Sequence, residues 1–483
     1  MAEQPRRPPS AAQTKPTPAR ADAGVPAPPS AASWRSLLSG DLRDQALELA
    51  GALIGSLREQ ARNGQADGHA TPEHGPGQVR PDPHRATLAS GSAGLAVCYA
   101  TAAMAGWDVA AVAAECLDEA IDVIAAEPLS TSFYSGFTGV AWAAEFMDSL
   151  PVGEVSSRAS PGDQRESDRN CAVDAGLDRA LRGYPEAGPY DLINGLAGIG
   201  WYALARWPRP TAAACLGHVI ALLATWARTD GDGVYWRTNP AALVGPRRRL
   251  YPAGGVDVGM AHGMAGVVPL LARVYRLGVQ PGLVQPLLHG AVTWILANLV
   301  ETGSEVTTPS FIAAGARPCA TRSAWCYGDP GVALAVLLAG RDAAEPTWTE
   351  AGIGLAVQAA QRPLDQTGVT DAGLCHGTAG LGHLFNRMFQ LTGKRELAKA
   401  AVFWMEQTVG RCAEYAAGTS AALKRSARAG PTEADRPPWT GAGLLEGAAG
   451  IALALLAASQ PVEPAWDQFL GIPSAEAAWT CGQ

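Results

Sequence analysis

The chain has 483 residues, 47% hydrophobic and 17% charged, with a formal net charge of −8 at neutral pH. Apart from Arg247 to Arg249 there is no basic cluster, which argues against a nucleic-acid partner. Heavy use of glycine (55 residues) and alanine favours closely packed helices over a β-sandwich, and nine scattered cysteines do not form a disulfide framework, so a reducing cytoplasm is expected.

Residues 1–32 are rich in Pro, Ala, Ser and Gln and too poor in large apolar side chains to offset ordering entropy; they are expected to be a disordered tail without a signal peptide. A helical pattern then begins at Ser33, with Leu37, Leu38, Leu42, Leu49 and Leu53, and residues 62–84 revert to loop composition. The uncharged run from Ala86 to Trp107 carries glycines, serines and threonines, so it reads as a buried helix start and not as a membrane span. No transmembrane segment is expected.

From residue 91 onward a Gly-x-x-Gly turn recurs at 91/94, 136/139, 195/198, 263/266, 328/331, 377/380 and 447/450, each time opening an apolar run. The runs are apolar on nearly all faces, as in Val332 to Leu338. The segments between them are amphipathic, as in 107–127. Seven such units at helical-hairpin spacing predict an all-α fold, an α/α toroid of seven inner and seven outer helices. An open solenoid would carry the same pattern. The domain is expected over residues 33–465, with loop insertions near 151–190, 229–256 and 413–438, and a C-terminal tail over 466–483.

The residue before each first glycine is polar in all seven units: Ser90, Ser135, Asn194, His262, Tyr327, His376 and Glu446. In a toroid these positions ring one mouth. Helix N-capping accounts for Ser90, Ser135 and Asn194, but not for two histidines and a tyrosine with cysteines beside them. Cys326 (in Trp325 Cys326 Tyr327 Gly328) and Cys375 with His376 (in Cys375 His376 Gly377) are the donor types of a zinc site with one open position. The alternative is that both cysteines are small buried hydrophobes. His262, without a cysteine neighbour, is a candidate acid or base, or else a fourth ligand. Asp191, one turn before Gly195, orients that histidine or caps a helix. Arg322 is placed to hold a peptide carbonyl or carboxylate, and Tyr327 to donate a hydrogen bond. His218, His289 and His383 fall on helical segments and read as packing residues.

These motifs, together with Ala261 His262 Gly263 and Asp191 Leu192 Ile193 Asn194 Gly195, resemble the lanthionine synthetase C-like family, the lantibiotic cyclases, over roughly residues 35–460. The resemblance implies one zinc ion held by Cys326, Cys375 and His376, with Asp191, His262, Arg322 and Tyr327 around the reacting centre. It implies addition of peptide cysteine thiols to dehydroalanine or dehydrobutyrine, giving lanthionine and methyllanthionine rings. The expected partners are a dehydrated, leader-bearing precursor peptide, a separate dehydratase and an exporter. The expected protein is a stand-alone cytoplasmic monomer, meeting the membrane only through such a complex. A relative that adds glutathione or another free thiol would use the same site, and a non-catalytic peptide-binding scaffold is a third reading.

Overall fold

The computed structural model describes residues 34–62, 83–150, 168–243, 245–302, 305–316, 321–425 and 441–473. The expected tail over 1–32 lies outside them. In chain order the helices are α1 (Gly40–Arg62), α2 (Ser92–Met104), α3 (Ala110–Ala126), α4 (Phe137–Asp148), α5 (Cys171–Arg182), α6 (Leu196–Ala205) and α7 (Pro210–Trp226). An antiparallel hairpin of β1 (Arg228–Asp230) and β2 (Gly233–Tyr235) follows, then the short α8 (Gly245–Leu250) and β3 (Val256–Asp257). Next come α9 (Met264–Arg276), α10 (Pro281–Ala297), β4 (Val300–Thr302), β5 (Glu305–Thr307) and β6 (Phe311–Ile312); β4 pairs with β5, and β3 with β6. The chain returns to helix with α11 (Asp329–Asp342), α12 (Pro346–Ala360), α13 (Thr378–Thr392), α14 (Arg395–Arg425) and α15 (Ala448–Ser459).

Seven helices follow the glycine turns: α2, α4, α6, α9, α11, α13 and α15. Each packs on the next, and α15 packs back on α2, so the ring is closed and the solenoid alternative is excluded. All twelve residues of α15 are buried, as are the first twelve of α11. That explains why their sequences show no polar face. The helices α1, α3, α5, α7, α10, α12 and α14 form the outer layer. The fold is an α/α toroid.

The turns are joined by hydrogen bonds that no periodicity reveals. The residue two before each first glycine donates its N–H to the carbonyl of its counterpart in the next turn. Ala89 bonds to Tyr134, Tyr134 to Ile193, Ile193 to Ala261, Ala261 to Cys326, Cys326 to Cys375, Cys375 to Leu445 and Leu445 back to Ala89, at 2.7–3.4 Å. Non-helical backbone at the mouth is thereby satisfied by other turns. The glycines make this possible by close approach. At Gly380, a Cβ would overlap the Leu374 carbonyl oxygen, and the other six second glycines face the carbonyl of the residue six earlier in the same way. Of the seven first glycines only Gly328, at φ 118°, needs the left-handed region.

Several expectations are corrected. The N-caps of the inner helices are the first glycines themselves, without side-chain cap bonds, so capping does not explain Ser90, Ser135 or Asn194. Helix begins at Gly40, and residues 34–39 before it are not helical. Trp34 precedes it, its indole N–H bonded to the Ala457 carbonyl at 2.9 Å. The segment 151–190 is not all loop: α5 within it is an outer helix, hidden by a short polar sequence that buries only Asp174, Leu177 and Leu181. Likewise 413–425 continues α14.

The expected tail over 466–483 is described as far as residue 473, and residues 466–473 pack into the toroid. Trp466, Phe469, Leu470 and Ile472 are buried, the Trp325 indole donates to the Leu470 carbonyl at 3.0 Å, and the Tyr134 hydroxyl donates to Phe469 O. Each such large apolar side chain contributes about 1.5–3 kcal/mol of burial.

Candidate metal centre and active site

The hydrogen-bonded ring explains why two cysteines 49 residues apart meet. Cys326 and Cys375 occupy the same position in consecutive turns, with the Cys326 N–H on the Cys375 carbonyl. His376 follows directly. The Sγ atoms of both cysteines and a ring nitrogen of His376 all lie within 4.8 Å of one another, and among the described residues no fourth Cys, His, Asp or Glu joins them. His262 is therefore not a fourth member.

The three donors shift one another. The Cys375 thiol beside it holds the Cys326 sulfur well below the ordinary thiol range, against the opposing effect of burial. His376 and Arg322, whose Nη2 lies 3.9 Å from Cys326 Sγ, add to the lowering. Cys375 is pushed up by the neighbouring Cys326 sulfur and by burial. His376 is raised, first by the Cys326 sulfur near it, then by Asp371, with burial opposing.

The donor set fits a metal ion. Ligand atoms around a tetrahedral zinc lie roughly 3.5–4 Å apart, within the span observed. His376 Nε2 faces Asp371 Oδ2 at 3.3 Å, whereas its buried Nδ1 has no hydrogen-bond partner. A carboxylate on one ring nitrogen and nothing on the other is how metal-binding histidines are commonly held.

Beside the trio, His262 Nδ1 lies 3.3 Å from Asp191 Oδ2, while Asp191 Oδ1 accepts the Asn194 N–H at 2.6 Å. One carboxylate thus holds its own turn and the imidazole, whereas the capping role does not apply, since Gly195 caps α6 without a side-chain bond. Burial pulls His262 down, but the Asp191 hydrogen bond and charge, with Asp257, outweigh it, and the net shift is upward. The Tyr327 ring stacks near His262, with centroids 6.5 Å apart. Its hydroxyl donates to Asp257 Oδ2 at 3.0 Å and accepts from Arg247 Nη1 at 2.6 Å.

Asp371, Asp257 and Arg247 were not among the site residues expected from the sequence. A signal for the two carboxylates was there: Asp257-x-Gly259 precedes His262-Gly263 as Asp371-x-Gly373 precedes His376-Gly377. In both, the aspartate Oδ1 accepts the N–H of the glycine two residues on, at 3.0 and 2.8 Å. Aligning the turns against one another would have found them. Arg247 had no such signal, because it comes from the 229–256 insertion.

His218, His289 and His383 lie away from this cluster. His218 Nδ1 faces Asp178 at 3.2 Å, His289 packs edge-on to Trp348, and His383 is buried against Asp467 at 3.0 Å. A cavity of about 510 Å³ at the far end of the toroid, lined by Trp142, Trp201, Leu277, Leu456 and Trp466, contains none of the donor residues. Donor chemistry, not cavity size, locates the site.

The family described as lanthionine synthetase C-like protein matches residues 82–471. The chain belongs to this family. The nisin biosynthesis protein NisC of Lactococcus lactis subsp. lactis is 27% identical over 209 residues, covering 40% of this chain and 47% of that protein, so the match spans about half of the relative's length. The structure of a nisin cyclase superposes with a TM-score of 0.63 at 20% identity, over 87% of this chain and 96% of that one. That likeness shows the fold, and within the lanthionine synthetase C-like family the trio and the Asp191–His262 pair are the features that bear on chemistry.

Proposed function

We propose that the chain is a lanthipeptide cyclase, adding the thiols of peptide cysteines to dehydroalanine and dehydrobutyrine in a dehydrated, leader-bearing precursor peptide. The observation that carries this reading is the trio of buried Cys326 and Cys375 with half-buried His376, an acid–base pair beside it, in a chain of this family. Cys326, Cys375 and His376 would hold one zinc ion per chain. When bound, zinc supplies a Lewis acid that keeps a substrate thiol ionised near neutral pH.

The chain's own residues account for the rest. Addition forms a bond between the thiolate sulfur and the β-carbon and moves the C=C pair onto the carbonyl oxygen as an enolate. Arg322, beside Cys326, is the cation placed to stabilise that charge. Protonated His262, held at Nδ1 by Asp191, delivers a proton to the α-carbon. The sum is S–H added across C=C, with no redox step.

The name of the nisin relative supports a peptide substrate; a separate dehydratase and an exporter as partners belong to this proposal. Among the described residues no helix is long and apolar enough to cross a membrane, and a cytoplasmic location belongs to the same proposal. The test is incubation with a dehydrated precursor peptide. The expected result is loss of free thiols, read by alkylation mass, together with zinc retained by the wild type and lost from Cys375→Ala. A folded, zinc-loaded protein that leaves all peptide thiols free overturns the reading, and addition of glutathione in their place would favour the free-thiol alternative.

A further inference from the structure

We propose that Arg247, carried by the 229–256 insertion, forms with Asp257 a clamp that immobilises the Tyr327 hydroxyl and sets opposing charges beside His262, making both residues positioning residues of the site. The inference draws its purpose from the cyclase reading, and its test does not depend on it.

The hydrogen inventory is the first support. A tyrosine hydroxyl has one hydrogen to give. That hydrogen goes to Asp257, a carboxylate 1% exposed, while Arg247 Nη1 occupies a lone pair of the same oxygen. Arg247 Nη1 also bonds Asp257 Oδ2 at 2.9 Å, and its guanidinium carbon lies 4.1 Å from the Tyr327 ring centroid. Releasing the hydroxyl would strip partners from a buried carboxylate, which is costly. Tyr327 is thus committed to the protein and His262 is not: its side chain is 40% exposed, and among the described residues no protein group bonds its Nε2. The hydrogen bond expected of Tyr327 thus goes to Asp257, and its ring forms a wall that holds His262 in place.

The second support is connectivity. Arg247 sits on α8, outside the Gly-x-x-Gly turns, and reaches the turn that carries Cys326 and Tyr327. Asp257 lies on β3, six residues before the His262 turn glycine, and receives the Gly259 N–H. The clamp therefore ties the insertion to two adjacent turns, so the insertion completes the site. His262 is faced by Asp191, by Asp257, by the ring of Tyr327 and by Arg247. Asp191 and Asp257 favour its charged form, and Arg247 opposes it.

The test is a site-resolved NMR titration of His262 in the full-length protein without peptide, with the resonance assigned by its absence in His262→Asn. Arg247→Met, which keeps the side-chain length, is expected to raise the titration midpoint by at least about half a pH unit. Asp257→Asn, which keeps an acceptor for Gly259, is expected to lower it by a similar amount. Arg247→Lys, which restores the charge, is expected to return the midpoint close to the wild-type value. Each variant is first checked for a native melting transition. A midpoint unmoved in both charge-deleting variants, or moved in the same direction by both, overturns the inference. Opposite shifts support it even if the protein proves inactive on dehydrated peptides, in which case the cyclase reading fails alone.

Discussion

Asp371→Asn isolates the contribution of the carboxylate behind His376. In the wild type, Asp371 Oδ2 lies 3.3 Å from His376 Nε2, and Oδ1 accepts the Gly373 N–H at 2.8 Å. Were Nδ1, which has no hydrogen-bond partner, to hold the metal, Nε2 would carry a hydrogen for the carboxylate to accept. Asparagine can keep the Gly373 bond only by turning its NH2 group toward that hydrogen, so two donors then face each other. A hydrogen bond to a charged group is worth about 1.5–3 kcal/mol. At about 1.4 kcal/mol per tenfold this is roughly 10- to 100-fold in zinc affinity, the range known for the loss of such outer-sphere partners. Competition against a chromophoric zinc chelator at fixed pH measures it, with the melting temperature followed in parallel. A folded variant that binds zinc within about threefold of wild type would refute the orienting role assigned to Asp371.

Three further outcomes are expected. Asp191→Asn removes the hydrogen bond and charge that raise His262, so the acid form is lost at lower pH; the basic limb of the cyclisation rate profile should move downward, with a larger rate loss at pH 8 than at pH 6. Gly380→Ala should cost about 1–3 kcal/mol or more, because its Cβ meets the Leu374 carbonyl and backbone cannot yield. Gly354→Ala on α12, with nothing within 4 Å, should stabilise by about 0.5–1 kcal/mol, and equal melting temperatures for the two would refute the close-approach argument. Asp168 is held down at about 2, first by its hydrogen bond from Arg206, against an ordinary value of 3.8. Its folded value is the depressed one, so its stabilisation is present above about pH 4 and lost as pH falls toward 2. Wild type should lose melting temperature over that window more steeply than Asp168→Asn.

The inner helices were legible because burial on every face leaves an uninterrupted apolar run, and each run is announced by a glycine turn. The outer helix α5 was not. Its buried positions are few, and one is Asp174, bonded to Tyr202 and Arg206, so polarity misrepresents its environment. Trp466 and Phe469 were missed for the opposite reason: a 3-10 helix of six residues has too little length to show a period. At the site, Cys326, Cys375, His376 and His262 stood out because reactive residue types sat at a repeated motif position. Asp371 and Asp257 belonged to the same repeat, but aspartate is too common near turns to draw notice singly.

Sequence by itself determined the helical class, the sevenfold repeat and the residue types gathered at one mouth, since all three follow from local pattern. Only the tertiary structure decided closure, the pairing of α15 with α2, and the ring of backbone hydrogen bonds that sets Cys326 beside Cys375. It also decided that Arg247, from an insertion outside the repeat, meets Tyr327 and Asp257. The physical reason is that local pattern records whether a residue is buried. Which residue from 49 or 80 positions away it is buried against depends on how the turns stack, and that is settled only when the ring closes.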